Sequence, residues 1–521
     1  MNGAESLLRT LCDNGVRACF ANPGTSEMHL VAALDQDPRM RCVLGLFEGV
    51  VTGAADGYGR MLDRPAATLL HLGPGLANGL SNLHNALRAQ SPIVNIVGDH
   101  AVSHRALDAP LTSDIEGTAR PFSHWVRTSM SAATVAADTV AAVAAAMSAP
   151  GRVATLIVPA DATWNPVPSR SVAAAGTAED LLVAPARPTD AAIDAVASAL
   201  ADDGPAALVL AGRALREDTL VFAGRIAAAT GARLLHSTHA ARLMRGAGRV
   251  GVDRIPYSVD QASASLADLR TIVLVGAAAP VAFFAYPGRP GRLYSPHTRV
   301  VELARPSDDL HYALEALAER VATRGRDHAN VSLALPARRP TGEITRDKLG
   351  TLLAATLPEN AIVVDESITT GRGFLTATRS ARPHDWLFGT GGSIGWGLAC
   401  AVGAAVACPD RPVIVLESDG SGMYMPQALW TMARESLNVV TLVFANRQYQ
   451  ILKTEMANIG VATVGPRAAR LLEIGQPNLD WVGLARSQGV PAQRATSMEE
   501  LSSAMDAALA AGGPQLIEIV L

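Results

Sequence analysis

A chain of 521 residues has room for about three domains, and nearly half of its residues are hydrophobic, enough for several buried cores. The net charge of −4 without a basic cluster excludes a nucleic-acid binder, and no uncharged apolar run reaches the roughly 18 residues of a membrane span. Five cysteines with no C-x-x-C pair argue against a disulfide framework and for free thiols in a reducing cytoplasm. No signal peptide is visible at the N-terminus, and the dominance of arginine over Lys348 and Lys453 reads as a compositional bias.

The first part, residues 1–168, alternates helices and strands. Residues 4–14 are amphipathic and Gly15 stops them; residues 16–20 form a short strand that enters Asn22-Pro23-Gly24-Thr25-Ser26-Glu27. The apolar runs 67–72, 92–97 and 154–158 read as buried parallel strands, and the Ala-rich residues 131–150, broken by Asp138, as a helix. A Pro- and Ala-rich linker covers residues 167–188. A second α/β unit, residues 189–335, holds strands at 207–211, 271–276 and 300–303. A linker with two prolines, residues 336–341, leads to a third unit, residues 341–521, which opens on a helix around 348–356 and closes on a strand at 515–521. No short repeat is present. The fold class is α/β, three doubly wound parallel-sheet domains.

The stretch 417–452 organises the third unit. An apolar run, 412–416, precedes the turn Ser418-Asp419-Gly420-Ser421-Gly422; a helix follows, and a second apolar run, 439–444, ends at Asn446. Asp419 and Asn446 therefore each stand just past a strand end, on the edge where open α/β sheets bind ligands. Two hard oxygen donors meeting there suit Mg²⁺, which takes its other oxygens from water and phosphate. Gly420 and Gly422 let the backbone approach an anion.

This unit resembles the fingerprint of thiamine diphosphate (ThDP) enzymes, Gly-Asp-Gly followed by Asn-Asn, with the family's spacing of 27 residues between Asp419 and Asn446. Ser418 and Ala445 depart from the pattern at positions that supply no metal ligand. The resemblance implies that Asp419, Asn446 and the Gln448 carbonyl hold Mg²⁺. It implies that Gly420, Ser421 and Tyr424, with Thr369 and Gly392, contact ThDP, and that Ile394 lies under the bend of the cofactor. The first unit resembles the pyrimidine-binding domain through Asn22-Pro23-Gly24, Leu46-Phe47-Glu48-Gly49 and Gly73-Pro74-Gly75. Read without the family, Glu48 is a helix-cap acid or a surface charge. Read with it, a carboxyl in apolar surroundings shares a proton with the pyrimidine ring and so promotes the thiazolium carbanion. The three domains then become pyrimidine-binding, middle and diphosphate-binding. Two chains share each cofactor, so at least a homodimer, and commonly a homotetramer, is implied.

The whole chain resembles the branch that contains benzoylformate decarboxylase and acetolactate synthase. His71 falls at one active-site histidine of the decarboxylase, Thr25 at its substrate-binding serine with Ser26 as neighbour, and Phe388 at an aromatic lining its pocket; Leu111, His100 and Tyr286 complete the candidate pocket. The loop 110–114 lacks the Phe-Gln pair of acetolactate synthases. No histidine occupies the decarboxylase's second position, near Ala285, which leaves His71, Tyr286, His100 and His104 as candidate acids. Slow protonation favours carboligation. The implied activity is decarboxylation of a 2-oxo acid to a carbanion–enamine that is protonated to an aldehyde, or added to a second aldehyde or 2-oxo acid to give a 2-hydroxy ketone. Acetolactate synthase proper and a non-catalytic subunit are the competing readings. The middle unit has no G-x-G-x-x-G, so FAD is not called for, although acetolactate synthases hold FAD without that motif. The run 283–287 either closes over the site or packs between domains.

Overall fold

The structure, a computed structural model, describes residues 1–168, 176–202, 204–321, 328–461 and 463–521; part of the 167–188 linker thus lies outside the described residues. Three sheets carry the fold. The first is built from β1 (Ala18–Asn22), β2 (Arg41–Leu44), β3 (Ala66–Leu70), β4 (Ile93–Asp99), β5 (Trp125–Thr128) and β6 (Val153–Pro159), in the order β2-β1-β3-β4-β6-β5, all parallel. The second comprises β7 (Ala206–Leu210), β8 (Arg233–His236), β10 (Asp253–Arg254), β11 (Thr271–Val275) and β12 (Arg299–Ala304), in the order β10-β8-β7-β11-β12. The third holds β13 (Ile362–Glu366), β14 (His384–Phe388), β15 (Val413–Ser418), β16 (Val439–Ala445), β17 (Ala492–Ala495) and β18 (Gln515–Val520), in the order β17-β18-β16-β15-β13-β14.

The central strands are apolar on both faces because helices cover both, so β3, β4, β6, β7, β11 and β16 are buried along their whole length. One strand breaks the pattern. β9 (Arg242–Arg245) follows the second sheet's β8 in the chain but pairs antiparallel with β14, extending the third sheet by one strand. Its register, Arg242 opposite Leu387 and Arg245 opposite His384, carries two buried arginines, and Arg242 ion-pairs with buried Asp385 at 3.2 Å.

The first and third units meet through the helices Glu48–Leu62 and Trp396–Ala407. Glycines let these helices touch: a Cβ on Gly57 would lie 2.0 Å from the Cys400 carbonyl oxygen, and one on Gly403 would lie 1.7 Å from that of Ala54. Beside the crossing, Arg60 is gripped by Asp56 through Nε at 2.8 Å and Nη2 at 2.7 Å, a buried fork-to-fork pair. Arg60 also donates to the Phe388 and Ala241 carbonyls and the Thr390 hydroxyl, and Trp396 Nε1 donates to Asp56 at 2.8 Å. No helix among the described residues is long and apolar enough to cross a membrane.

Candidate active site

Parallel strands deliver their carboxyl ends to one edge, and β15 and β16 deliver Asp419 and Asn446 there, with Ser418 opposite Phe444 in the register. The chain leaves β16 through Arg447, at φ +59°, and its N–H donates to Asp419 Oδ2 at 2.6 Å. The Gln448 N–H donates to Asn446 Oδ1 at 3.0 Å. The first bond ties the strand ends together, the second is a local turn after Asn446, and both orient the predicted metal donors. Asp419 is buried, and burial pushes its carboxyl up to about 6 against the pull of the Arg447 N–H. A single buried acid wants a cation there. Among the described residues no group of three or more His, Cys, Asp or Glu is placed to hold a metal ion; the carboxylate of Asp419 and the amide oxygen of Asn446 are hard donors of the kind that fit Mg²⁺ sharing its sphere with phosphate oxygens.

The turn Asp419–Gly422 is one short helical turn. A Cβ on Gly420 would lie 2.6 Å from the Tyr449 ring and one on Gly422 would lie 2.7 Å from Trp481, so both positions need glycine. Ser421 is buried and its hydroxyl donates to Glu417, one side of a carboxyl pair. Glu417 and Glu366 stand opposite each other on β15 and β13. Glu366 accepts from the Gly395 N–H at 2.8 Å and the Gly397 N–H at 2.5 Å, and burial pushes it up to about 7. Burial and the neighbouring Glu366 push Glu417 well above the usual carboxylate range, and its Oε2 has no protein partner. Sequence reading missed this pair, since each glutamate alone looks like an ordinary strand-end residue.

Glu366 fixes the start of the helix after the loop Gly389–Gly395. The N-terminal unit fixes the rest of that loop: the Asn85 amide donates to the Ser393 carbonyl at 2.8 Å, His84 Nε2 lies 3.1 Å from the Gly391 oxygen, and Thr390 donates to the Asn85 carbonyl at 2.7 Å. Ile394 is half-buried, Gly392 is exposed at φ +78°, and Tyr424, 53% exposed, packs on Gly395. Thr369 is buried beside Ile368, itself at φ +43°.

In the first unit, His71 follows β3 and caps the next helix, and Glu48 opens its own helix; both stand over Gly75, where a Cβ would lie 3.3 Å from His71 Cβ and 3.4 Å from Glu48 Oε1. The Asn78 amide donates to Glu48 Oε2 at 3.0 Å. Of the apolar neighbours expected around Glu48, Phe47 is half-buried but Leu46 is 48% exposed within the chain. Ser26 lies 3.3 Å from His71 Nδ1, and buried Glu27 lies 2.8 Å from it. Thr25 is exposed. The loop with Leu111 reaches the same edge, where Ser113 sits on Gly73.

Three pocket candidates stand elsewhere. His100, just past the end of β4, lies beside His104, the two rings tilted with centroids 5.3 Å apart. Tyr286 donates to Glu455 at 2.7 Å, tying the 280–287 run to the helix Gln450–Asn458. Phe388 is buried, with His236 and Trp386 beside its ring and Arg254 over it. Phe283 covers Gly392: a Cβ there would lie 2.8 Å from the ring. His239 brings an imidazole to that run, 5.2 Å from the Phe283 ring, with Nδ1 2.9 Å from the Gly389 oxygen. Burial, with Arg254 nearby, lowers His239 to about 4, so it is neutral. No sequence signal marked it, because it comes from the loop after β8.

The chain is similar to known proteins along its whole length. The family model for the N-terminal TPP binding domain of thiamine pyrophosphate enzymes matches residues 1–124, and that for the C-terminal TPP binding domain matches residues 371–519. The chain is 50% identical to the acetolactate synthase large subunit-like protein IlvX of Mycobacterium tuberculosis, over 100% of this chain and 99% of the relative. It is 29% identical to benzoylformate decarboxylase of Pseudomonas aeruginosa, over 97% and 96%. The solved 4-hydroxybenzoylformate decarboxylase of Rhodococcus jostii superposes with a TM-score of 0.86 at 25% identity, over 99% of this chain and 98% of that one.

Proposed function

Because the chain belongs to the thiamine pyrophosphate enzyme family, we propose that it is a ThDP- and Mg²⁺-dependent 2-oxo acid decarboxylase and carboligase, releasing an aldehyde or joining the activated acyl unit to a second aldehyde or 2-oxo acid. The observation that carries the reading is the pair of strand ends holding buried Asp419 and half-buried Asn446 on one edge, with the Arg447 N–H donating to Asp419. In this reading Asp419, the Asn446 amide oxygen and the Gln448 carbonyl hold Mg²⁺. The glycines of the 419–422 turn, with Ser421, Tyr424 and Thr369, receive the diphosphate, and Gly392 and Ile394 seat the rest of the cofactor. Glu48 and His71 face the reacting end.

When bound, ThDP supplies the electron sink that decarboxylation needs. The chain's own residues bind, orient and move protons. Glu48 holds a proton at the ring of the cofactor, and Ser26 and His71 address the substrate. In the run 280–286 Phe283 lies over Gly392, and the imidazole beside it, that of His239, is neutral with Nδ1 turned to the Gly389 oxygen; a donor weaker than an imidazolium at this position supports slow protonation and hence ligation. Two copies complete each site: Leu46, Met423 and Tyr424, exposed at 48%, 38% and 53%, belong to a surface that a partner copy covers. A homodimer at least, arranged as a homotetramer, acts on small molecules in the cytoplasm, where the five free cysteines stay reduced.

The 50% identity to the acetolactate synthase-like relative favours a second reading, acetolactate synthase proper. One experiment separates them. Purified protein with ThDP and Mg²⁺ is given a panel of 2-oxo acids with and without aldehydes, and CO₂ and products are identified. Aldehydes and 2-hydroxy ketones from several 2-oxo acids are expected; acetolactate from pyruvate alone selects the second reading, and no CO₂ from any substrate removes both.

A further inference from the structure

Glu27 has no role assigned by the sequence motifs, yet its carboxyl is fully buried and collects three donors. The Gly24 N–H donates to Oε2 at 2.8 Å, the Ser26 hydroxyl donates to Oε1 at 2.6 Å, and His71 Nδ1 lies 2.8 Å from Oε2. Two glycines make the space. A Cβ on Gly98 would lie 1.8 Å from Glu27 Oε1, and a Cβ on Gly24 would lie 2.2 Å from the His71 ring. Among the described residues no arginine or lysine pairs with this buried carboxyl, so the hydrogen bonds are the reason it is tolerated.

A carboxylate can only accept, so with Glu27 ionised and the imidazole neutral the 2.8 Å contact calls for the ring proton on Nδ1. Nε2 then carries the lone pair. Among the described residues Nε2 has no hydrogen-bond partner, and the side chain is 21% exposed on the edge where Glu48 stands.

We infer that Glu27 is a positioning residue for His71: it holds the ring in one orientation and one tautomer, so that Nε2 alone exchanges a proton with the substrate. In that exchange the hydroxyl that the substrate's carbonyl oxygen becomes during turnover passes its proton to Nε2 and keeps the O–H electron pair on oxygen, with Glu27 as the acceptor facing the imidazolium; the reverse transfer returns the proton. The part played in turnover rests on the proposed decarboxylase–carboligase reading; the tautomer does not.

The test uses the full chain labelled with ¹⁵N-histidine and reads the His71 ring nitrogens before any cofactor is added. Wild type is expected to show Nδ1-protonated His71. Glu27→Gln, with the charge removed, is expected to shift His71 toward the Nε2-protonated form and, with ThDP and Mg²⁺, to lose about tenfold or more in kcat while KM and ThDP affinity change less than about twofold. If that variant does not fold, Gly24→Ala takes its place, because it pushes the ring off an unaltered carboxylate and is expected to give the same two readouts. An unchanged tautomer and kcat in the folded variant, or Nε2-protonated His71 in wild type, overturns the inference. A wild type that turns over no 2-oxo acid sinks the proposed reaction instead and leaves the tautomer result to decide the role of Glu27.

Discussion

At the level of single residues, the two halves of the site make separable demands. Asp419→Ala removes the buried carboxylate of the metal site, and it is expected to abolish Mg²⁺-dependent ThDP binding in calorimetry. Glu48→Gln keeps a side chain that Asn78 can still reach, so it is expected to bind ThDP and Mg²⁺ but to lose cofactor proton exchange, followed by NMR, together with turnover. Glu366 sets a pH dependence of its own. Its folded-state carboxyl is raised by burial to about 7 from an ordinary 4.5, so the fold favours the protonated form. That contribution to stability is complete below about pH 4.5 and is lost as the pH rises through about 7. The unfolding midpoint of the protein without cofactor is therefore expected to fall between about pH 5 and about pH 8, and Glu366→Gln is expected to flatten this fall.

At the level of elements, the crossing of Glu48–Leu62 and Trp396–Ala407 depends on what is missing from Gly57 and Gly403. A side chain at Gly403 meets backbone, the Ala54 oxygen, and cannot be relieved by a rotamer change. Gly403→Val is expected to cost about 3 kcal/mol or more, read as a lowered unfolding temperature. The same crossing places Glu48, the first residue of its helix, so the variant is also expected to weaken turnover in any fraction that folds. The motif-bearing elements were legible in advance because each is local: a strand, a glycine turn, a helix and a strand with Asn446 after it can be read from 36 consecutive residues. The carboxyl pair Glu366–Glu417 was not, since the two residues are 51 positions apart and meet only through the register of β13 with β15.

At the level of the whole molecule, Arg60 joins the three units. From the first unit it reaches the Ala241 carbonyl beside β9 and the Phe388 carbonyl and Thr390 hydroxyl that open the loop to Ile394. Removing it leaves buried Asp56 with, among the described residues, the Ser91 hydroxyl and the Trp396 indole N–H still donating and no cation beside it. Arg60→Met is expected to destabilise the fold by about 3–5 kcal/mol, measured by denaturant unfolding, and to loosen the Gly389–Gly395 loop, seen as faster amide exchange there. β9 serves the same end by a different route, crossing from the middle segment to pair with β14 and so fixing the middle unit against the third.

The sequence by itself determined the α/β class and the strand-end positions of Asp419, Asn446 and His71, because apolar runs, glycine turns and parallel topology leave few places for a residue that follows a strand. Tertiary structure alone decided that Glu27 grips His71, that His239 fills the neighbourhood where no histidine was found near Ala285, and that Arg60 locks the loop before Ile394. Those choices rest on distances between residues far apart in the chain and on buried charges that need partners, and neither quantity is written in any local pattern of side chains.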